Sequence, residues 1–290
     1  MGYEPPHVSF EFFPPKSLQA SFDLWKSLNL LAPLNPSFVS VTYGAGGTTR
    51  QLTKEMTEAI AKSYGLDVAA HLTCVNASKA ETLAIAKSYA DVGVKQIVAL
   101  RGDAPKGTGP FTPHPQGFED SIDLVAGLAA TGVKTIHVGA YPEPHPDAKN
   151  NNSDIDWLKR KFDAGATSAI TQFFFDSEIF LRFRDRCQKA GIDKLIIPGI
   201  LPIENFDNMK RFAKRCGTSV PANLDVEFEM AKRNAVEDIL SVVVATDLCS
   251  DLMNEGVDHF HFYTLNQPYL TRDVCLALGI IPDNKLALVA

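Results

Sequence analysis

The chain has 290 residues, 45% of them hydrophobic, which is enough for one large buried core. Its net charge of -6 and sequence pI near 5.7 argue against nucleic acid or an anionic membrane surface as the main partner. No apolar run reaches the roughly 20 residues a membrane span needs, and the opening MGYEPPHVSF is neither a signal nor a presequence, so a soluble, cytoplasmic protein is expected.

Short apolar runs bounded by turn residues predict strands near 8–12, 38–43, 68–73, 96–101, 135–140, 169–174, 195–200 and 258–263. In the first, VSFEFFPP, side chains alternate: Val8, Phe10 and Phe12 form the set expected to face helices, while Ser9, Glu11 and Phe13 face the other way. Glu11 then sits where a buried strand gives way to a loop. Desolvation near aromatic rings would raise its pKa and suit it to donate protons; a salt-bridged structural Glu is the alternative. SLQASFDLWKSLNLLA follows with helical spacing. In the second strand Thr42 aligns with Ser40. The glycines of YGAGGTT (43–49) lack the Lys-Ser/Thr ending of a phosphate-binding loop and read as a close-approach turn. His71 shares a face with Ala69 and Thr73 in the third strand, and the helix-like KAETLAIAKSYADVG ends at Gly93.

The fourth strand, QIVALRGD, is expected to carry Val98 and Leu100 on one face and Ile97, Ala99, Arg101 and Asp103 on the other. Arg101 and Asp103 would then emerge together into the cleft, or close the barrel as a mutual ion pair. The loops at 103–120 and 141–154 are long, rich in Gly, Pro or Asn, and follow strands, as functional loops do. Tyr141 aligns with His137 and Gly139. Gln172 shares a face with Ile170 and Phe174, and a neutral amide there implies a directed hydrogen bond. The connection at 203–257 holds NFDNMKRFAKRC, a Pro-containing break and an apolar AVEDILSVVVATDLCSDLMNEG, leaving room for one extra helix. His259 and His261 have metal-friendly spacing but no third ligand, and read as structural. The five cysteines (Cys74, Cys187, Cys216, Cys249, Cys275) are scattered, without a C-x-x-C pair, and read as free thiols of a reducing compartment.

Strands alternating with helices imply parallel pairing with covered faces, and eight such units predict one (β/α)8 TIM barrel spanning 1–290, with an extra helix before the last strand. Acids at the downstream ends of barrel strands, Glu11 and Asp103 above all, are the first candidates for chemistry, because such barrels build their sites there.

The segments SFEFFPPK (9–16), FVSVTYGA (38–45), AHLTC (70–74), IVALRGD (97–103), AYPEPHP (140–146), LKRKFDAGATSAITQFFFD (158–176), IIPGILP (196–202) and FHFYTLNQ (260–267), in this order, resemble the methylenetetrahydrofolate reductase family of bacterial type over nearly the whole chain. The resemblance implies a barrel with non-covalent FAD, NADH or NADPH as co-substrate, and ping-pong hydride transfer to 5,10-methylenetetrahydrofolate, giving 5-methyltetrahydrofolate for methionine synthesis. The oxidative direction, in metabolic contexts that recycle methyl groups, is the alternative. By motif, Glu11 is implied as the general acid and Asp103 as a charge that tunes the flavin and binds the pterin. Gln172 and Thr42 join them in holding substrate. The implied FAD contacts are Thr42, Tyr43, Ala45, His71, Arg101, Gly102, Asp103, Tyr141, His145, Asp154, Arg160 and Lys161. Arg160 and Lys161 supply positive charge that the acidic chain otherwise lacks. The resemblance implies self-association, and no S-adenosylmethionine inhibition for a chain ending soon after the eighth strand. Gln267 stands where relatives commonly carry Arg, Trp157 where a polar flavin contact is often found, and FEDSIDLV (118–125) departs from the usual tyrosine-containing version.

Overall fold

The computed structural model describes residues 4–43, 50–103, 111–144 and 153–283. In chain order the elements are β1 (His7–Phe12), α1 (Leu18–Leu31), β2 (Phe38–Val41), α2 (Arg50–Tyr64), β3 (Val68–Thr73), α3 (Lys79–Ala90), β4 (Gln96–Leu100), α4 (Ser121–Ala130), β5 (Thr135–Ala140), α5 (Ser153–Asp163), β6 (Ser168–Phe173), α6 (Ser177–Lys189), β7 (Leu195–Ile200), α7 (Phe206–Cys216), α8 (Ala222–Arg233), α9 (Glu237–Asn254), β8 (His259–Tyr263) and α10 (Pro268–Ala277). Each strand pairs in parallel with the next, and β8 closes on β1 with His7 beside His259 and Glu11 beside Tyr263. The chain is therefore a (β/α)8 barrel. No helix among the described residues is long and apolar enough to cross a membrane.

Local chemistry sets the helix ends. Ser17 accepts a hydrogen bond from Ala20 N to start α1, and Ser78 and Glu81 form a capping box at α3. Asp120 and Asp176 cap α4 and α6 in the same way. The main core lies between strands and helices. Phe10 and Phe12 are 0% exposed there, and each contributes about 1.5–3 kcal/mol by burial.

The barrel's interior is part apolar, part polar. Phe38, Ala69, Val98, Ile170 and Ile197 form a small inner cluster. Buried beside it are Ser9, Ser40, His71, His137, Ser168, His259 and His261. Gln96 Oε1 can only accept, so His137 donates to it from Nε2 at 2.8 Å, and Nδ1 accepts from the Ser168 hydroxyl at 2.6 Å. Burial lowers the His137 pKa to about 3, keeping it neutral and locked. The Phe38 ring stacks 4.6 Å from His137 and 5.6 Å from His261, filling the axis.

Three expectations are corrected. The connection between β7 and β8 holds three helices rather than two, because 222–233 also folds as a helix with Leu224, Phe228 and Ala231 buried. In β4 it is Val98 and Leu100 that line the interior, while Ile97 and Ala99 face the helices. The strand ends at Leu100, and Gly102 at φ +82 breaks the alternation that was to carry Arg101 and Asp103 inward together. In β6 the pairing with β7 slips between Ile170 and Phe173. Phe174 consequently packs into the helix-side core and does not share the inward face of Ile170.

Candidate active site

The carboxyl group of Glu11 stands at the downstream end of β1, with its side chain 13% exposed. Its Oε2 lies 3.3 Å from His71 Nε2 on β3 and 4.0 Å from His261 Nε2 on β8. The first approach is off-line for a hydrogen bond, so His71 Nε2 is a buried polar atom with no hydrogen-bond partner, as is Thr73 Oγ1 one step along the same face. The phenylalanines expected around Glu11 are not its neighbours: Phe10 and Phe12 turn to the helices and Phe13 is exposed, and the aromatic side chain next to it is Tyr263 of β8. The expected rise in its pKa is corrected too. Burial is the largest influence and pushes the acid up. The two imidazoles beside it, His261 and His71, together outweigh it and hold the acid at about 2. Glu11 is thus a carboxylate at neutral pH. His261 is itself lowered by burial, with Glu11 acting in the opposite direction.

The loop after β8 fixes the end of β1. Thr264 Oγ1 donates to Glu11 O at 2.6 Å. The Asn266 side chain accepts from Phe13 N at 2.9 Å and donates to Phe13 O at 3.0 Å. Leu265 and Asn266 adopt φ of +49 and +57 to bring that amide into place. Nothing in the composition marked Thr264 or Asn266 as support; the register of β8 against β1 was the missing signal.

A second group gathers across the mouth on β4, β5 and α5. Tyr141 is half-buried, and burial pushes its phenol up to about 12, with the charges of Arg101, Asp103 and Asp154 acting on it. Arg101 lies 5.4 Å from the Phe111 ring. Lys161 is buried and its Nζ donates to Gly139 O at 2.8 Å; burial lowers it to about 8 against the pull of Asp154 and Asp120, so it remains a cation at neutral pH. Arg160 is exposed and lies 5.0 Å from the Trp157 ring, giving that departure a definite contact. Asp103 is exposed. Tyr263 joins the two groups: Glu11 and Tyr141 both act on its phenol, which burial raises well above the ordinary value and which donates to Thr171 O at 2.6 Å.

Thr42 and Tyr43 lie just beyond β2, half-buried, with Thr42 N bound to Phe12 O. Gln172 is half-buried on β6, and its Oε1 accepts from Phe173 N at 3.1 Å. Ala45 and His145 lie outside the described residues. The mouth thus brings together Glu11 with His71 on one side and Arg101, Asp103, Tyr141, Asp154 and Lys161 on the other. No group of His, Cys, Asp and Glu among the described residues is placed to hold a metal ion.

A model of the family described as methylenetetrahydrofolate reductase matches residues 3–279. The chain belongs to the methylenetetrahydrofolate reductase family. The 5,10-methylenetetrahydrofolate reductases of Salmonella typhimurium strain LT2 and Escherichia coli strain K12 are each 45% identical to it over 277 residues, covering 95% of this chain and 92% of theirs. A methylenetetrahydrofolate reductase (NADH) 1 of Arabidopsis thaliana is 34% identical over 96% of this chain but 49% of its own length. Among solved structures, a Clostridium thermocellum protein described as binding two copies of 5-methyl-5,6,7,8-tetrahydrofolic acid shares the fold, with a TM-score of 0.62, 12% identity and 96% coverage of each chain.

Proposed function

We propose that this member of the methylenetetrahydrofolate reductase family reduces 5,10-methylenetetrahydrofolate to 5-methyltetrahydrofolate with NADH or NADPH, by way of FAD held at the mouth of the barrel. The observation that carries this reading is the carboxyl of Glu11 flanked by His71 and His261, in a chain so similar to the bacterial reductases.

The residues at the mouth fit a large polar, anionic group. His71 Nε2 and Thr73 Oγ1 are buried polar atoms that make no hydrogen bond, the kind of deficit a ligand relieves. Lys161 is a buried ammonium on the opposite side, and Arg101 and Arg160 add positive charge nearby. Thr42, Tyr43, His71, Arg101, Gly102, Tyr141, Asp154, Arg160 and Lys161 would hold FAD, with Ala45 and His145 completing the set. When bound, FAD supplies two-electron hydride chemistry that side chains lack, serving nicotinamide and folate in turn.

Glu11 would give a proton to the folate nitrogen that is released as the five-membered ring opens, leaving a carbon ready to accept hydride. Because Glu11 starts as a carboxylate, covering the mouth must first bring it a proton. Asp103, at the rim, would hydrogen-bond the pterin and disfavour negative charge on the reduced flavin. Gln172 would orient both substrates. We include self-association: Val226 and Met230 of α8 and Ile239 and Val243 of α9 are exposed apolar side chains of a kind a partner subunit covers.

The test is the purified protein's spectrum and turnover. Bands near about 380 and 450 nm, bleached by anaerobic NADH and restored by methylenetetrahydrofolate, are expected. A colourless protein that binds folate would favour a flavin-free pterin barrel instead.

A further inference from the structure

The two histidines of β8 are absorbed by no step described above. They lie on the inward face of the barrel at different depths, His259 opposite His7 and His261 opposite Ser9, below Tyr263 and Glu11. His261 Nδ1 lies 2.8 Å from Ser9 Oγ, and Ser9 Oγ lies 3.2 Å from His259 Nε2. The Ser9 hydroxyl has a second acceptor in Phe260 O, but at the longer distance of 3.4 Å. At the upper end His261 Nε2 is 4.0 Å from Glu11 Oε2 and 3.5 Å from Ser40 Oγ. At the lower end His259 is 9% exposed and lines a depression of about 550 Å³ where the strands begin, next to Asp258 and Leu195. His7, exposed, lies beside it with ring centroids 6.1 Å apart.

We propose that His259, Ser9 and His261 form a proton-supply chain through the barrel interior, from the face where the strands begin to Glu11 at the face where they end. It rests on the reading of Glu11 as the acid of the folate step. Two features favour an internal supply. The Glu11 side chain is 13% exposed at the strand ends, where the proposed folate would lie, so a pterin seated there would cut its direct route to solvent. The Phe38 ring, packed against His137 and His261 and edge-on to His259, fills the axis, so the route runs through side chains.

The protons balance. His261 releases the Nε2 proton to Glu11 and takes one on Nδ1 from the Ser9 hydroxyl. Ser9 takes one from His259 Nε2, and His259 takes one on Nδ1 from water in the lower depression. One proton enters, one reaches Glu11, and ring rotation restores the starting tautomers. The 4.0 Å gap closes by rotation of the carboxyl group, whose Oε2 lies 3.3 Å from His71 Nε2 without hydrogen-bonding it. Relay histidines must be neutral so that each ring both donates and accepts, and burial lowers both His261 and His259, the latter to about 4.

Two measurements test this. In stopped-flow half-reactions of the flavoprotein, Ser9→Ala should slow reoxidation by methylenetetrahydrofolate about 10-fold or more, with NADH-driven bleaching as internal control. His259→Ala should do the same, and imidazole, which fits the vacated lower depression, should restore the rate without shifting the melting temperature. In the flavin-free protein, 15N spectra should show His261 protonated at Nε2, and Ser9→Ala should move its Nδ1 signal. Wild-type folate rates in both variants, no rescue by imidazole, or a predominantly Nδ1-protonated His261 would overturn the chain. A wild-type protein with no folate half-reaction would instead overturn the reading on which it rests.

Discussion

Glu11 shows how far a single residue can be read. Alternation along β1 is enough to aim it into the mouth, and the structure keeps that placement. Its protonation state was illegible, because the groups that decide it arrive from β3 and from β8, about 60 and 250 residues away. The same distance hid its support. Asn266 clamps Phe13 through both backbone groups from a left-handed conformation. Asn266→Gly keeps that conformation open and removes only the two hydrogen bonds. It should cost about 1–2 kcal/mol in urea unfolding and slow the folate step by loosening Glu11. An unchanged unfolding midpoint would show that the clamp carries no energy.

At the scale of elements, hydrophobic runs and turn residues located all eight strands, because each is buried on both faces and bounded by breakers. The helix at α8 was passed over although Leu224, Phe228 and Ala231 keep helical spacing; the charges of Asp225, Glu227 and Glu229 between them masked the pattern. The slip in β6 had no local signature, since it answers to β7. Gly199 N donates to Thr171 Oγ1 at 2.9 Å, while the Tyr263 ring lies over the glycine. A Cβ at Gly199 would come within 2.2 Å of Thr171 O and 2.5 Å of the Tyr263 ring. Gly199→Ala should therefore destabilise by about 1–3 kcal/mol and displace the tyrosine that joins the two halves of the mouth. A melting temperature equal to wild type would mean β7 shifts freely there.

For the whole molecule, the polar barrel interior makes stability depend on pH in a definite direction. His137 is lowered to about 3 and His259 to about 4 from 6.5, and Glu11 to about 2 from 4.5. In each case the unfolded chain binds the proton more readily, so these groups stabilise fully above their unfolded values and lose that contribution as pH falls. Stability should decline from about pH 6.5 as the histidines are drawn toward protonation, and further between about 4.5 and 2 through Glu11, with at most about 1.4 kcal/mol per pH unit from each group. Urea midpoints measured across that range should fall, and His137→Gln should flatten the upper part of the decline. A flat profile between pH 6.5 and 4 would contradict the burial of neutral histidines.

The most direct measurement separates the two half-reactions in Glu11→Gln. The amide keeps the size and polarity of the side chain but cannot supply the proton. Bleaching by NADH should persist near the wild-type rate, while reoxidation by methylenetetrahydrofolate should fall by about 100-fold or more. Equal loss of both half-reactions, or reoxidation at the wild-type rate, would remove Glu11 from the centre of the chemistry.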